Sequence, residues 1–160
     1  MLDSLIIRLG KTHARRRRQE GAVLAETAIV MPLLVVLILA TAEFSNAFWQ
    51  YSTLTKMVRD GARYAATQGL LGSTGVVVLT TELRAEVGNV VVYGNSAGSG
   101  SPSLTGMQPS SVTLEAPGDG DIVVRANYAY QPLFGLIPTF YGSSVSAPLS
   151  FDAAIRMRVL

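Results

Sequence analysis

The segment RRRRQEGAVLAETAIVMPLLVVLILATA, residues 15–42, decides the fold because it joins a block of arginines to a nearly continuous apolar run. That run, residues 22–42, is interrupted only by Glu26, Thr27 and Thr41. A helix needs about 20 apolar residues to cross the hydrocarbon core of a bilayer. The run is therefore just long enough to span a membrane. The arginines before it predict that its N-terminal side stays in the cytoplasm.

The composition fits a membrane-anchored chain better than a soluble enzyme. Hydrophobic residues make up 49% of the 160 residues and charged residues 15%, which is apolar-rich and charge-poor. The basic leader, residues 1–21, accounts for the net charge of +2, and the remainder is slightly acidic. There is no cysteine, and the only histidine is His13 in the leader. The sequence therefore predicts no catalytic centre, no metal site and no cofactor.

The residues after the apolar run predict that the helix continues well beyond a membrane. Apolar and small residues recur every three or four positions, which indicates one face of a helix: Phe44, Phe48, Tyr51, Thr55, Val58, Ala62 and Ala65. We predict one helix over residues 22–68, roughly 70 Å long from its rise per residue. Pro32 lies inside it, where a proline removes a backbone donor and neighbouring helices can compensate.

The rest of the chain predicts a small α/β head, so the expected fold class is α+β. A second short helix is expected within residues 80–93, followed by a flexible Gly/Ser loop over residues 94–106. An antiparallel sheet of about three strands completes the head, with strands expected in residues 111–115, 122–130 and 146–160. The expected domains are the leader 1–21, the transmembrane segment 22–42, the amphipathic stalk 43–69 and the head 70–160.

Three interpretations fit the basic leader and apolar run. The run could be a simple membrane anchor, or it could be a secretory signal peptide cut after the A-x-A sequence that ends at Ala42. That cut would leave Glu26 unexplained and would divide one predicted helix. The third interpretation is cleavage before the apolar run, after Gly21. An arginine-rich segment can also bind nucleic acid, but here it lacks interleaved aromatic residues and adjoins a membrane-length run.

The spacing around the glycine favours the third interpretation. Gly21 is followed by AVLAE, which places Glu26 fifth after the glycine. This arrangement resembles the class III prepilin signal, which a membrane aspartyl peptidase cuts after the glycine. Many members of that system have an aromatic residue after the glutamate, whereas this chain has Thr27.

A longer stretch, from about Gln19 to Gly69, resembles the N-terminal signature of TadE-like pseudopilins of the tight adherence (Tad/Flp) pilus system. The resemblance is carried by the Gly–Glu spacing, the MP pair within the run, and Glu43-Phe44 at its end. The AFWQ stretch and TKMVRDGARYA complete it, and VVVYGN further along also looks like the family.

The resemblance implies a role for each of the N-terminal residues. A prepilin peptidase would cut between Gly21 and Ala22, giving Ala22 a charged amine. Glu26 would then pair with the amine of a neighbouring subunit, because a paired carboxylate in lipid costs much less than a lone one. The alternative is that Glu26 merely reaches the membrane interface near the arginines.

The resemblance also implies a function, a location and partners. We expect a minor pilin or pseudopilin that acts in pilus assembly initiation or at the pilus tip. It would sit in the bacterial inner membrane with one span, its N terminus cytoplasmic and its head outside, and then join the pilus. Expected partners are inner-membrane lipid, the prepilin peptidase, other pseudopilins, the major Flp-type pilin and the assembly platform, without direct nucleic-acid contact. The alternatives are an uncleaved membrane-anchored scaffold and a soluble secreted domain released after Ala42.

Three further groups of residues are candidates for packing or assembly. The aromatic residues near the end of the apolar run form either an assembly surface or an aromatic belt at the membrane interface: Phe44, Phe48, Trp49 and Tyr51. A second group is expected at the helix–head interface, with a glycine that lets the sheet backbone approach closely: Arg59, Asp60, Gly61, Arg63 and Tyr64. The apolar segment QPLFGLIPTFY, residues 131–141, either faces a partner or covers the core of the head.

Overall fold

The computed structural model describes residues 2–69, 79–118, 120–134 and 149–159, with residues 2–20 and 22 described by their backbone alone. It confirms the α+β fold class: a long helix, a second short helix and a three-stranded antiparallel sheet. The elements are α1 (Leu2–Gln68), α2 (Thr81–Tyr93), a 3-10 turn (Pro109–Ser111), β1 (Val112–Glu115), β2 (Asp121–Ala129) and β3 (Ser150–Arg158).

The long helix begins earlier than the sequence pattern predicts. Helix α1 starts at Leu2 rather than at residue 22, and it ends at Gln68 as expected. The leader contains no proline, and an isolated glycine inside a helix costs only about 1 kcal/mol relative to alanine, which does not stop it. Pro32 lies within the helix. The chain forms two compact units, residues 1–42 and 43–160, and each is described separately.

The first unit carries the apolar run. Among the described residues, the helical stretch Val23–Gln68 is long and apolar enough to cross a membrane, and its most apolar window is not buried inside protein. Two hydroxyls of the run turn back onto the helix: Thr27 donates to the Val23 carbonyl at 2.9 Å and Thr41 to the Leu37 carbonyl at 2.7 Å. Such bonds satisfy a polar group where no water is present.

In the second unit, α2 is delimited by a capping residue at each end. The Thr80 hydroxyl oxygen accepts a hydrogen bond from the Leu83 amide at 3.1 Å, which is a typical N-cap. Gly94 ends the helix in the left-handed conformation, with φ of 74°. The predicted second helix is therefore confirmed.

The sheet has the order β1-β2-β3, and both pairs of strands are antiparallel. Alternate residues of the central strand β2 are buried, as expected for a sheet with one covered face: Ile122, Val124, Ala126 and Tyr128. The predicted hairpin is confirmed. The last predicted strand, 146–160, is observed as β3 over Ser150–Arg158, and residues 146–148 and 160 of that prediction lie outside the described residues.

One core joins the lower part of α1, helix α2 and the sheet. Fully buried side chains from α1 and α2 include Leu54, Val58, Val87 and Val91. The guanidinium of Arg84 on α2 also donates to the Leu114 carbonyl of β1 at 2.6 Å. The core therefore fixes the head against residues 43–68 of the helix.

The Gly/Ser loop after α2 makes internal hydrogen bonds and core contacts that its composition does not predict. Asn95 donates to the Ser99 carbonyl at 2.7 Å and accepts from the Ser99 amide at 3.1 Å. Further along, Leu104 and Met107 are buried in the core. Two apolar side chains thus anchor a segment whose composition alone suggests mobility.

Candidate assembly surface

The stalk contacts α2 at a glycine. A Cβ added to Gly61 would lie 2.3 Å from Cγ2 of Val91, so only glycine fits this contact. One turn further, the Tyr64 hydroxyl donates to Glu86 at 3.0 Å. The close neighbour of Gly61 is therefore α2, and the expectation that it is the sheet backbone is wrong. Tight helix–helix contact needs a small residue on one side, because the backbones approach closely there.

Of the residues expected at the helix–head interface, two lie at this contact and three do not. Gly61 is buried and Tyr64 is half-buried. The charged members of the set lie on the exposed face of the stalk: Arg59, Asp60 and Arg63.

Three polar side chains of α1, which we call the polar clamp, hold the chain segment that leaves β2: Glu43, Asn46 and Gln50. Gln50 is 5% exposed, and its side-chain amide pairs with the backbone of Gln131 in both directions. Its Nε2 donates to the Gln131 carbonyl at 2.8 Å, and its Oε1 accepts from the Gln131 amide at 3.2 Å. Asn46 donates to the same carbonyl at 3.1 Å.

Glu43 forms the end of the polar clamp nearest the apolar run. Its carboxylate accepts a hydrogen bond from the Tyr130 hydroxyl. Both carboxylate oxygens also lie 3.2 Å from the Leu133 amide, which donates to them. The acid that directly follows the apolar run therefore has donors from the head, and it fixes the start of segment 131–134 beside the helix.

Of the four predicted aromatic residues, Tyr51 has a ring contact with the head, and the other three are more exposed. Tyr51 makes an edge-on contact with Phe151 of β3, with ring centroids 5.7 Å apart, and Phe151 also contacts Tyr130 at 5.5 Å. Tyr51 thus packs against the head, although it is 45% exposed. Phe44 and Phe48 are 75% and 66% exposed. Trp49, on another side of the helix, is 59% exposed.

Sequence reasoning missed the polar clamp. The partners of Gln50 lie 81 residues away along the chain, and no local pattern identifies them. The available signal was the i, i+3, i+7 spacing of Glu43, Asn46 and Gln50, which puts three polar groups on one face of an otherwise apolar stretch.

The buried hydroxyl of Tyr130 predicts a loss of stability at high pH. Burial, together with the hydrogen bond to Glu43, raises the pKa of Tyr130 above its usual value of 10.0. A group whose pKa is higher in the folded state stabilises the fold below its unfolded pKa and loses this contribution as pH rises through the folded pKa. We therefore expect the stability of the second unit to fall above about pH 10.

Hydrogen exchange of the full-length chain in nanodiscs, measured across this range, checks that expectation. Tyr130→Phe should be less stable at neutral pH, because it loses the bond to Glu43, but its profile should be flatter above pH 10. The pKa of Tyr128 is raised by burial and that of Tyr64 by its hydrogen bond to Glu86, and these two groups give the residual slope. An unchanged slope in Tyr130→Phe would assign the alkaline loss to another group.

In the first unit, Glu26 lies on an exposed face of the helix. With Thr27, Val30, Met31 and Leu34 it lines a shallow groove of about 300 Å³. Within the part of the chain that the structure describes, its carboxylate makes no hydrogen bond or ion pair. Gly21 is exposed, and a Cβ there would meet nothing within 4 Å. The groove is therefore an apolar surface with one acid, open to a neighbour.

The described residues do not form a metal site. Among those residues, no group of three or more His, Asp or Glu side chains is placed to hold a metal ion.

Comparisons with known proteins identify the N-terminal part of the chain. Residues 21–63 match the family model described as TadE-like protein. No curated protein matches the chain, and no solved structure does. Members of the matched family are structural components of pili and are not known to be enzymes. Together with the long apolar helix, this match indicates a membrane-anchored, pilus-associated protein. The resemblance seen in the sequence is thereby confirmed: residues 21–63 are similar to the TadE-like family, and this similarity suggests a pilin-like protein associated with a Tad pilus.

Proposed function

We propose that the chain is a minor pilin of a Tad-type pilus, that a prepilin peptidase cuts it after Gly21, and that it acts at assembly initiation or at the tip. The observation that carries this proposal is the exposed Glu26 on an apolar helix within the TadE-like segment. A carboxylate facing lipid alone is costly, so a helix that keeps one there gains by pairing it with a cation. The new amine at Ala22 of a neighbouring subunit is such a cation.

The head supports a low-copy role rather than that of a major subunit. A major pilin of this system needs little beyond the helix, whereas here residues 43–160 form a separate compact unit with its own core. When the first unit packs against other helices in a pilus, Glu26 would set how far each helix is shifted along its neighbour. The head would remain outside the helical core, at an end of the assembly.

The proposed topology follows from the charges. The arginines of the leader keep the N-terminal side in the cytoplasm, and the second unit then lies on the other side of the inner membrane. In this arrangement the partners are inner-membrane lipid, the prepilin peptidase, other pseudopilins, the major pilin and the assembly platform.

Processing is tested by the intact mass and N-terminal sequence of the protein from membranes and from sheared pili, with and without co-expressed prepilin peptidase. We expect Ala22 as the mature terminus only when the peptidase is present. Gly21→Val should block the cut, because a branched side chain replaces the residue next to the scissile bond. Gly10→Val, in the same leader, is the matched control and should be processed normally. A terminus at Glu43 would instead establish a secreted domain, and an uncut chain in every fraction would establish a membrane scaffold.

Assembly is tested with Glu26→Gln, which removes the charge and keeps the side-chain size. Breaking a pair that is shielded from water costs about 3–5 kcal/mol, since the partner charge is left alone. We therefore expect incorporation into pili to fall by roughly a hundredfold or more. Glu82→Gln, an exposed acid in the first turn of α2, is the control and should assemble normally. Normal incorporation of Glu26→Gln would contradict the pairing role.

A further inference from the structure

Two segments of the second unit contain almost no charge in their sequence. After Glu43, the helix has no charged residue until Lys56, and the chain has none between Arg125 and Asp152. The surface of a soluble domain normally carries charged residues more often than this. A region that lacks charge and exposes apolar side chains indicates a contact with another protein or with a membrane.

The exposed apolar side chains of this region come from both chain segments. Phe44 and Phe48 on α1 are 75% and 66% exposed, while Leu133 and Phe134, just beyond β2, are 58% and 45% exposed. Together these four side chains form what we call the apolar collar.

The helical residues of the collar follow the apolar run closely along the chain. Phe48 is six residues beyond Ala42, which is about 9 Å along a helix axis. The polar layer on each side of a bilayer is about 5–8 Å thick, judged from the thickness of the bilayer with and without its headgroups. Aromatic residues are enriched at this depth.

The polar clamp brings the second pair of collar residues to the same level. The Leu133 amide lies 3.2 Å from the carboxylate of Glu43, which is the residue that follows Ala42. Because the carboxylate already accepts bonds from Leu133 and from the Tyr130 hydroxyl, the one charge in this region is satisfied by the protein itself. A satisfied acid is tolerated at a membrane edge, where an unpaired one is costly.

We infer that the apolar collar is a second membrane contact, in which Leu133 and Phe134 of the head insert into the lipid interface beside the helix. The occupant of this surface is the lipid headgroup and upper acyl region. This contact would attach the head to the membrane surface. This inference needs only a membrane-anchored chain and does not depend on cleavage after Gly21.

The absence of cysteine from the chain makes a direct test possible. A single cysteine is introduced as Phe134→Cys, labelled with a nitrobenzoxadiazole fluorophore, and the uncleaved full-length protein is placed in phosphatidylcholine nanodiscs. The control is Pro117→Cys, an exposed position in the turn before β2. Strand β2, Asp121–Ala129, runs from the turn that contains Pro117 towards Tyr130. Its eight residue steps place its two ends about 27 Å apart.

Brominated acyl chains then report which label touches lipid. Interfacial side chains lie about 5–10 Å into the headgroup and acyl boundary, so we expect roughly twofold quenching of the label at position 134. The label at position 117 should be unaffected. Equal quenching at both positions, or at neither, would overturn the inference.

A second measurement separates lipid from protein contact. If the collar binds another copy of the chain, the label at position 134 should respond to the number of copies per nanodisc and not to bromination. That outcome would also overturn the lipid assignment. Leu133→Asp adds a charge to the collar without touching the core, and it should reduce quenching at position 134. Unreduced quenching in this variant would overturn the inference, because position 134 would then reach lipid without the collar.

Discussion

Replacing Gly61 by alanine is expected to destabilise the second unit by about 1–3 kcal/mol, the usual cost of an extra carbon in a packed core. The added Cβ would lie 2.3 Å from Cγ2 of Val91. Val91 is β-branched and fully buried in a helix, where one rotamer dominates, so it has little freedom to move aside. Alanine is a better helix former than glycine by about 1 kcal/mol. A net loss of stability would therefore mean that the packing conflict costs more than this gain.

A double-variant cycle isolates that conflict. Val91→Ala alone should be destabilising, because it leaves a cavity, but Gly61→Ala should cost much less in the Val91→Ala background. We expect a coupling energy of about 0.5–3 kcal/mol between the two positions. The measurement is hydrogen exchange of α2 amides in the full-length protein in nanodiscs. Additive effects of the two substitutions would show that the glycine is needed for another reason.

We expect a second large loss of stability when Gln50 is replaced by leucine. Two hydrogen bonds, of 2.8 and 3.2 Å, join its side chain to the backbone of Gln131, and both would be lost. Leaving polar partners unpaired next to a buried site costs about 1–3 kcal/mol. The loss should appear first as faster exchange at the Gln131 and Leu133 amides, because those residues are held by the polar clamp.

Gln68→Leu, at the exposed last residue of the same helix, is the matched control for this experiment. It should leave exchange at Gln131 unchanged. If Gln50→Leu also leaves Gln131 protected, the segment is held by Tyr130 and Phe151 rather than by the polar clamp.

Local patterns predicted most of the secondary structure. Three-and-four spacing identified the stalk, and alternation identified β2. The stalk face was predicted in part. Val58, Ala62 and Ala65 are buried as expected, but Phe44 and Phe48 are exposed. The prediction also left out three buried residues of the helix: Leu54, Met57 and Gly61. Large apolar residues beside a membrane need not be buried in protein, and periodicity alone does not distinguish the two.

The candidate sites were predicted where the signal is local and missed where it is distant. Glu26 follows from five-residue spacing, but its pairing with Ala22 of another subunit remains a prediction. The partners of Glu43 and Gln50 come from the segment after β2, and that pairing depends on how the whole sheet is placed. Of the apolar segment 131–141, residues 131–134 are described and the rest lies outside the described residues.

The polar clamp has a consequence for the order of events during synthesis. Its contacts join residues that are 81 to 90 positions apart, and the sheet closes only when β3 pairs with β2. Such high contact order makes folding slow, since distant segments must meet before any of these bonds form. The apolar run leaves the ribosome long before β3 does. Membrane insertion therefore precedes folding of the second unit, and the unit crosses or stays beside the bilayer as an open chain.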